Sequence, residues 1–334
     1  MSARYSIAIA SGDVAFGCDV GDTLLRAAQR AGLGFPYECN VGSCGNCRFE
    51  LVEGEVVSAW HEAPGLSEKD RARQRRLGCQ SQPLADCRIK LRLDPRYVPV
   101  HPPRRGGAVL SARRAITRDI DEFRFELDVP QTFEPGQYAL AWLPGVAGPR
   151  AWSMSNTAPE AWEFQVRRVP GGQGSGVLFD GLAIGNRIEL DGPYGMAWLR
   201  RDAPRDILCL AGGSGLAPML SIARGAMAEP ALASRTLHFV YGGRTPADLC
   251  GEDLLRALPG WGERLHYQGV VSMPPPGWSG PSGFVHEAAQ QRFGARLPSM
   301  EVYFAGPPAM TAAVQGMLLQ AGVPPAQQHF DAFY

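Results

Sequence analysis

No apolar run in this sequence approaches the roughly 20 residues that cross a bilayer, which excludes a membrane-spanning helix. The first residues, Met1 to Asp13, lack the basic stretch and long apolar core of a secretory leader, so the expected compartment is the cytoplasm. Neither charge sign is in excess. The 33 Lys and Arg match 33 Asp and Glu, and no long block of one sign occurs, which argues against nucleic acid as a partner. None of the six histidines lies in a zinc-protease pattern, and none is placed as the base for a nucleophile. What is present is an ordinary globular composition, 45% hydrophobic and 20% charged. At 334 residues the chain can build two or three domains, each with its own core.

Eight cysteines in a reducing compartment read as metal ligands, reactive thiols or core filler, not as disulfides. Four have informative spacing. Cys39, Cys44 and Cys47 form C-x4-C-x2-C, and Cys79 stands far downstream, the plant-type [2Fe–2S] pattern. Such a loop must wrap a cluster closely and aim its amides at the sulfurs, and Gly42 and Gly45 permit the backbone angles this needs. Zinc is the alternative, but zinc knuckles come as two short cysteine pairs, and Cys79 has no near partner in sequence. Cys18, Cys87, Cys209 and Cys250 are expected to be buried small hydrophobes. Thr23–Ala31 has the spacing of a short amphipathic helix, flanked by strand-like segments at Tyr5–Ala10, Arg48–Val52 and Ile89–Leu93. Cysteine spacing and elements together resemble a β-grasp, plant-type ferredoxin domain over residues 1–95.

Residues 96–107 hold three prolines and two glycines, so they are expected to be a linker. Beyond it the pattern becomes alternating strands. Trp162, Phe164 and Val166 line one face of a segment whose other face carries Glu163, Gln165 and Arg167, and Gly136–Leu143 and Arg187–Leu190 read similarly. From Ile207 onward strands alternate with helices, as in an open parallel sheet.

In the strand-rich region, Arg150-Ala151-Trp152-Ser153 resembles the R-x-Y-S signature of the ferredoxin–NADP reductase superfamily, with Trp for Tyr. That likeness implies an arginine on a flavin phosphate, an aromatic against the isoalloxazine, and the Ser153 hydroxyl at the ring edge that accepts hydride. Gly172-Gln173-Gly174-Ser175 resembles the superfamily's pyrophosphate loop, and Val166 and Arg168 stand where its V-x-R segment meets the cofactor. Asp191-Gly192-Pro193-Tyr194-Gly195 resembles a segment found at the end of the same barrel.

Ile207–Ala211 is a buried-type strand entering Gly212-Gly213-Ser214-Gly215 and then Pro218, a strand, glycine turn and helix that suit a dinucleotide. A nucleophile elbow at Ser214 fails, because Leu216 stands where the second glycine of G-x-S-x-G belongs. Gly306-Pro307-Pro308 with Met310 resembles the superfamily's C-G-P-P-x-M segment at the nicotinamide, with Ala305 in place of its cysteine. A terminal aromatic commonly covers the flavin in that superfamily; the role falls to Tyr334, with Phe333 the rival. Tyr241 and Arg244 follow the second strand, and no acidic residue sits where it would hold a ribose hydroxyl. Arg244 either meets the 2′-phosphate of NADPH or stacks beside adenosine, and the residues leave both coenzymes open.

The order of the three regions resembles reductase components of bacterial multicomponent aromatic oxygenases. Shared-looking segments include Phe35-Pro36-Tyr37-Glu38-Cys39, Ala63-Pro64-Gly65-Leu66, Gly283-Phe284-Val285-His286 and the terminal His-Phe-Asp-Ala-Phe-Tyr. The resemblance implies a ferredoxin domain, an antiparallel FAD-binding barrel over 108–203 and an α/β NADH-binding domain over 204–334. It also implies electron delivery to a separate ferredoxin or terminal oxygenase by a monomer or weak oligomer. The rival readings are a reductase of a nucleotide-sugar intermediate and a redox-sensing regulator, though no residues remain for an effector module. Arg71, Arg73, Arg75 and Arg76, beyond the Ser67/Asp70 capping pair, either steer an acidic partner or form a solvated or intramolecular face.

Overall fold

The computed structural model describes residues 3–10 and 12–333. The first unit runs β1 (Arg4–Ile9), β2 (Ala15–Asp19), α1 (Leu24–Arg30), β3 (Arg48–Glu53), β4 (Val56–Ser58), α2 (Glu68–Ala72), β5 (Arg75–Leu77), β6 (Ser81–Pro83) and β7 (Cys87–Lys90). Its main sheet has the order β2-β1-β7-β3-β5, with β1 and β7 parallel and the other neighbours antiparallel. Helix α1 buries Leu24, Leu25, Ala27 and Ala28 on this sheet. Gly32 then takes φ +73°, and the Leu33 amide bonds back to the Ala28 carbonyl, a left-handed stop that glycine makes cheaply. The helix opened by Ser67 is short. Gln74 at φ +57° turns the chain into β5, so Arg75 and Arg76 lie on a strand rather than on a helix face.

The second unit comprises β8 (Arg104–Ala115), β9 (Ile120–Leu127), β10 (Tyr138–Trp142), β11 (Arg150–Ser153), β12 (Ala161–Arg167), α3 (Gln173–Gly176) and β13 (Arg187–Tyr194). The antiparallel order is β11-β10-β13-β8-β9-β12, and a Met154–Phe164 bridge brings the two edges together into a nearly closed barrel. Phe123, Phe125, Trp162 and Phe164 fill it. Strand β8 begins directly after Pro103, and residues 104–107 pair with β13. The expected linker therefore gives its last four residues to the barrel, because the donor-poor stretch ends at that proline. Gln165, on the face expected to be polar, is buried and donates to Glu122 at 3.0 Å.

The third unit holds β14 (Asp206–Gly212), α4 (Leu216–Ala228), β15 (Leu237–Gly243), α5 (Glu252–Arg256), β16 (Leu265–Val271), α6 (Val285–Phe293), β17 (Met300–Gly306), α7 (Pro308–Gln320) and β18 (Gln328–Ala332). All five strands are parallel, ordered β16-β15-β14-β17-β18. Ile207, Cys209 and Ala211 pack with α4, while Leu208 and Leu210 pack with α6 and α7. Both faces are covered, which is why the strand reads as one continuous apolar run. Strand order reverses at β14, opening a crevice beyond its carboxyl end. Among the described residues no helix is long and apolar enough to cross a membrane.

Candidate functional site

The cysteine loop lies between α1 and β3. Gly42 and Gly45 take φ +96° and +79°, and the Cys44 amide points at the Cys39 sulfur at 3.3 Å. Among the described residues no three ligand-type side chains converge on a single point. The thiols form two pairs instead: Cys39 with Cys44, and Cys47 with Cys79 at 3.4 Å. Two pairs suit two irons with two thiolates each better than one tetrahedral zinc. A hydrogen bond from Cys44, aided by amides of Val41, Cys44 and Ser43, pulls the Cys39 thiol down to about 5, while the shared proton pushes Cys44 up. The amide aimed at the Cys39 sulfur is what a loop holding negative sulfur needs. Cys47 and Cys79 are buried, Cys39 and Cys44 half-buried. Of the other cysteines, Cys18, Cys87 and Cys209 are buried and Cys250 is half-buried.

In the barrel, Arg150, Trp152 and Ser153 lie on β11. The Arg150 side chain runs so close to Gly174 that a Cβ there would sit 2.9 Å from it, so the arginine and the glycine loop share one surface. The Ser175 hydroxyl closes that loop by accepting the Val169 amide at 3.1 Å, and Gly172 supplies its first turn. Trp152 packs on Phe164 at 5.7 Å. Ser153 is buried. An arginine over a small-residue cradle, beside a buried serine, fits a flavin dinucleotide. Val166 is buried on β12, whereas Arg168 is turned outward to Asp180 at 2.7 Å.

At the carboxyl ends of β14 and β17 two distant segments meet. A Cβ on Gly215 would lie 2.0 Å from the Ala305 carbonyl, and Cβ atoms on Gly212 and Gly306 would lie 2.7 and 2.9 Å from the Met310 sulfur. At Gly215, where the neighbour is backbone, only glycine allows that approach. Tyr241 fixes the turn by donating to the Gly213 carbonyl at 3.1 Å. Ser214 lies in this turn, Pro218 in the first turn of α4, and Pro307 and Pro308 at the start of α7. Arg244 faces Asp248 at 3.5 Å and Asp119 of the barrel at 3.9 Å. The Phe333 amide bonds to the Gly306 carbonyl, which brings the end of the chain beside this turn. Tyr334, the expected gate, lies outside the described residues.

The chain matches the family described as 2Fe-2S iron–sulfur cluster binding domain over residues 7–84. It matches the oxidoreductase FAD-binding domain over 107–198 and the oxidoreductase NAD-binding domain over 209–316. It is 42% identical to a ferredoxin–NAD(P)(+) reductase of Metapseudomonas resinovorans, across 95% of this chain and 96% of that one. The chain belongs to the ferredoxin–NAD(P)(+) reductase components of oxygenase systems. A second relative, the ferredoxin–NAD(+) reductase component of the alkene monooxygenase system of Xanthobacter autotrophicus, is 38% identical over 95% of this chain and 97% of its own. The solved ferredoxin reductase in carbazole 1,9a-dioxygenase superposes with a TM-score of 0.92 at 37% identity, covering 100% of this chain and 99% of that one. As such a reductase, the protein uses FAD and a [2Fe–2S] cluster to move electrons from a nicotinamide coenzyme. These relatives give no support to the nucleotide-sugar and sensor readings.

Sequence reasoning assigned no role to the residues that join the reductase's units. The Tyr138 hydroxyl, on β10, donates to the Glu38 carbonyl beside Cys39 at 2.6 Å. The Tyr37 hydroxyl accepts the Gly195 amide at 2.9 Å. Arg30 of α1 bridges Asp22 and the fully buried Asp191 of β13, both at 2.5 Å. Asp331, on β18, is buried with one carboxylate oxygen unpartnered; burial, and then the nearby Glu38, raise its carboxyl to about 7. The D-G-P-Y-G, F-P-Y-E-C and terminal H-F-D-A-F-Y resemblances drew attention to residues of this junction but said nothing of what those segments contact.

Proposed function

We propose that this reductase takes a hydride from NADH and passes single electrons to a separate ferredoxin or directly to a terminal oxygenase acting on an aromatic compound, in the cytoplasm, as a monomer or weak oligomer. The observation that carries the reading is the docking of the cysteine loop, through Tyr37 and Glu38 just before Cys39, on the barrel beside the strand of Ser153. Flavin accepts two electrons as hydride and gives them up singly, and a [2Fe–2S] cluster takes one, so the pair converts between the two currencies.

The chain's own residues bind and orient. Cys39, Cys44, Cys47 and Cys79 are the ligand set; Arg150 with Gly172, Gly174 and Ser175 holds the flavin's phosphates; Ser153 offers its hydroxyl to the ring edge. Gly212–Gly215 and Pro218 receive the coenzyme pyrophosphate, and Gly306, Pro307, Pro308 and Met310 the nicotinamide, with Tyr334 covering the flavin until the coenzyme arrives. Arg168 holds its place in this set least, because Asp180 engages it. Arg244 is engaged by two carboxylates, which supports NADH over NADPH. The basic run is tied inward at Arg75, which pairs with Asp70 at 2.9 Å, so that residue supports the intramolecular reading over steering.

Cys44→Ser tests the route. The variant is expected to keep NADH-dependent bleaching of the flavin band and to lose reduction of cytochrome c, used as a one-electron acceptor. Undiminished cytochrome c reduction would overturn the route through the cluster.

A further inference from the structure

The D-G-P-Y-G segment at the end of β13 has a structural partner that the reaction scheme leaves unused. Strands β11, β10 and β13 lie side by side, and Ser153, Tyr138 and Tyr194 are directly opposite one another in register. Directly opposed residues share a face, so the three side chains form a row across the sheet. Tyr138 and Tyr194 have centroids 6.1 Å apart, and Tyr37 of the cysteine loop packs edge-on to Tyr194 at 6.3 Å. The row therefore starts at the serine placed at the flavin edge and ends on the cluster loop.

The two sides of this junction exchange hydrogen bonds. The barrel's Tyr138 donates to the Glu38 carbonyl, and the loop's Tyr37 accepts from the barrel's Gly195 amide. Both bonds close on consecutive residues, Tyr37 and Glu38, immediately before the ligand Cys39. Both tyrosines are only 4% exposed. Beside them the Arg30–Asp191 pair locks α1 to β13. A bond between buried groups in this setting cannot be exchanged for water without opening the junction.

We propose that Tyr138 is a positioning residue for electron transfer: its hydroxyl ties the cysteine loop to the barrel strand beside Ser153 and so sets the gap between flavin and cluster. The inference rests on the proposed passage of electrons from flavin to cluster. Hydride transfer needs only the barrel and the nicotinamide unit, so it does not depend on this bond. Transfer to the cluster does, because it requires the loop to sit at one fixed distance.

The test is anaerobic stopped-flow of the full-length Tyr138→Phe variant with NADH, following flavin bleaching and cluster reduction separately. Hydrogen exchange of the 37–47 amides supplies a readout independent of turnover. Unchanged bleaching, cluster reduction slowed about tenfold or more, and faster exchange confined to the loop are expected, since small misplacements cost large factors in rate. Cluster reduction at the wild-type rate, or bleaching slowed by the same factor, would overturn the proposal. Should Tyr138→Phe not load its cluster, Tyr37→Phe removes the reciprocal bond and carries the same expected and overturning results. If the wild-type cluster itself is not reduced, the reading beneath the proposal fails, and that outcome is distinct from either result in the variants.

Discussion

At the scale of single residues, the local motifs were legible and the buried charges were not. C-x4-C-x2-C and the two glycine turns announce themselves because their function lies within a few neighbours. Asp331 does not, since its burial comes from strands and loops far away in sequence. Its carboxyl stays protonated to about pH 7 in the fold, whereas the unfolded chain ionises near pH 4. The native state thus holds the extra proton between those values, and stability falls as pH rises through that window, by at most about 4 kcal/mol. Asp331→Asn cannot ionise. Between pH 5 and 8 the thermal midpoint of the wild type is expected to drop more than that of the variant; equal drops would refute the burial argument. At Arg244 the test is coenzyme choice. Exposed ion pairs are worth about 0–1 kcal/mol, so Arg244→Ala should cost little stability and leave the NADH-to-NADPH ratio of kcat/KM nearly unchanged. A selective loss of NADPH use on the order of tenfold would make Arg244 a phosphate ligand after all.

At the scale of elements, periodicity located most strands and helices, and the misses have physical causes. The C-terminal strand β18 went unassigned because four of its five residues, His329–Ala332, read as part of a terminal motif with aromatics. What makes them a strand is the free edge of β17. The start of β8 was hidden by Gly106 and Gly107, which look like linker yet pair with Leu190 and Glu189. The cysteine loop shows the reverse case, in which glycines were read correctly. It is clamped by Gly65, where an added Cβ would lie 2.6 Å from the Gly45 nitrogen and 2.7 Å from the Gly42 oxygen. Backbone on both sides cannot yield, and overpacking of this kind costs about 1–3 kcal/mol. Gly65→Ala should therefore purify with reduced iron and sulfide but normal flavin content. Full iron occupancy would show that the clamp is dispensable.

At the scale of the molecule, three units in order could be read from composition breaks and motifs, but their mutual placement could not. Arg30 and Asp191 are 161 positions apart, Tyr138 and Glu38 100 apart, and no spacing rule links such pairs. Yet this placement turns three cofactor-binding units into one conductor: the nicotinamide turn contacts the end of the chain, and the barrel grips the cysteine loop. The central claim is that electrons entering as hydride leave one at a time through the cluster. Anaerobic titration of the iron-replete protein with NADH, followed by visible absorption and electron paramagnetic resonance, tests it most directly. The account predicts loss of the flavin band together with the signal of a reduced [2Fe–2S] cluster. Bleaching of the flavin with no cluster signal at any excess of NADH would contradict it.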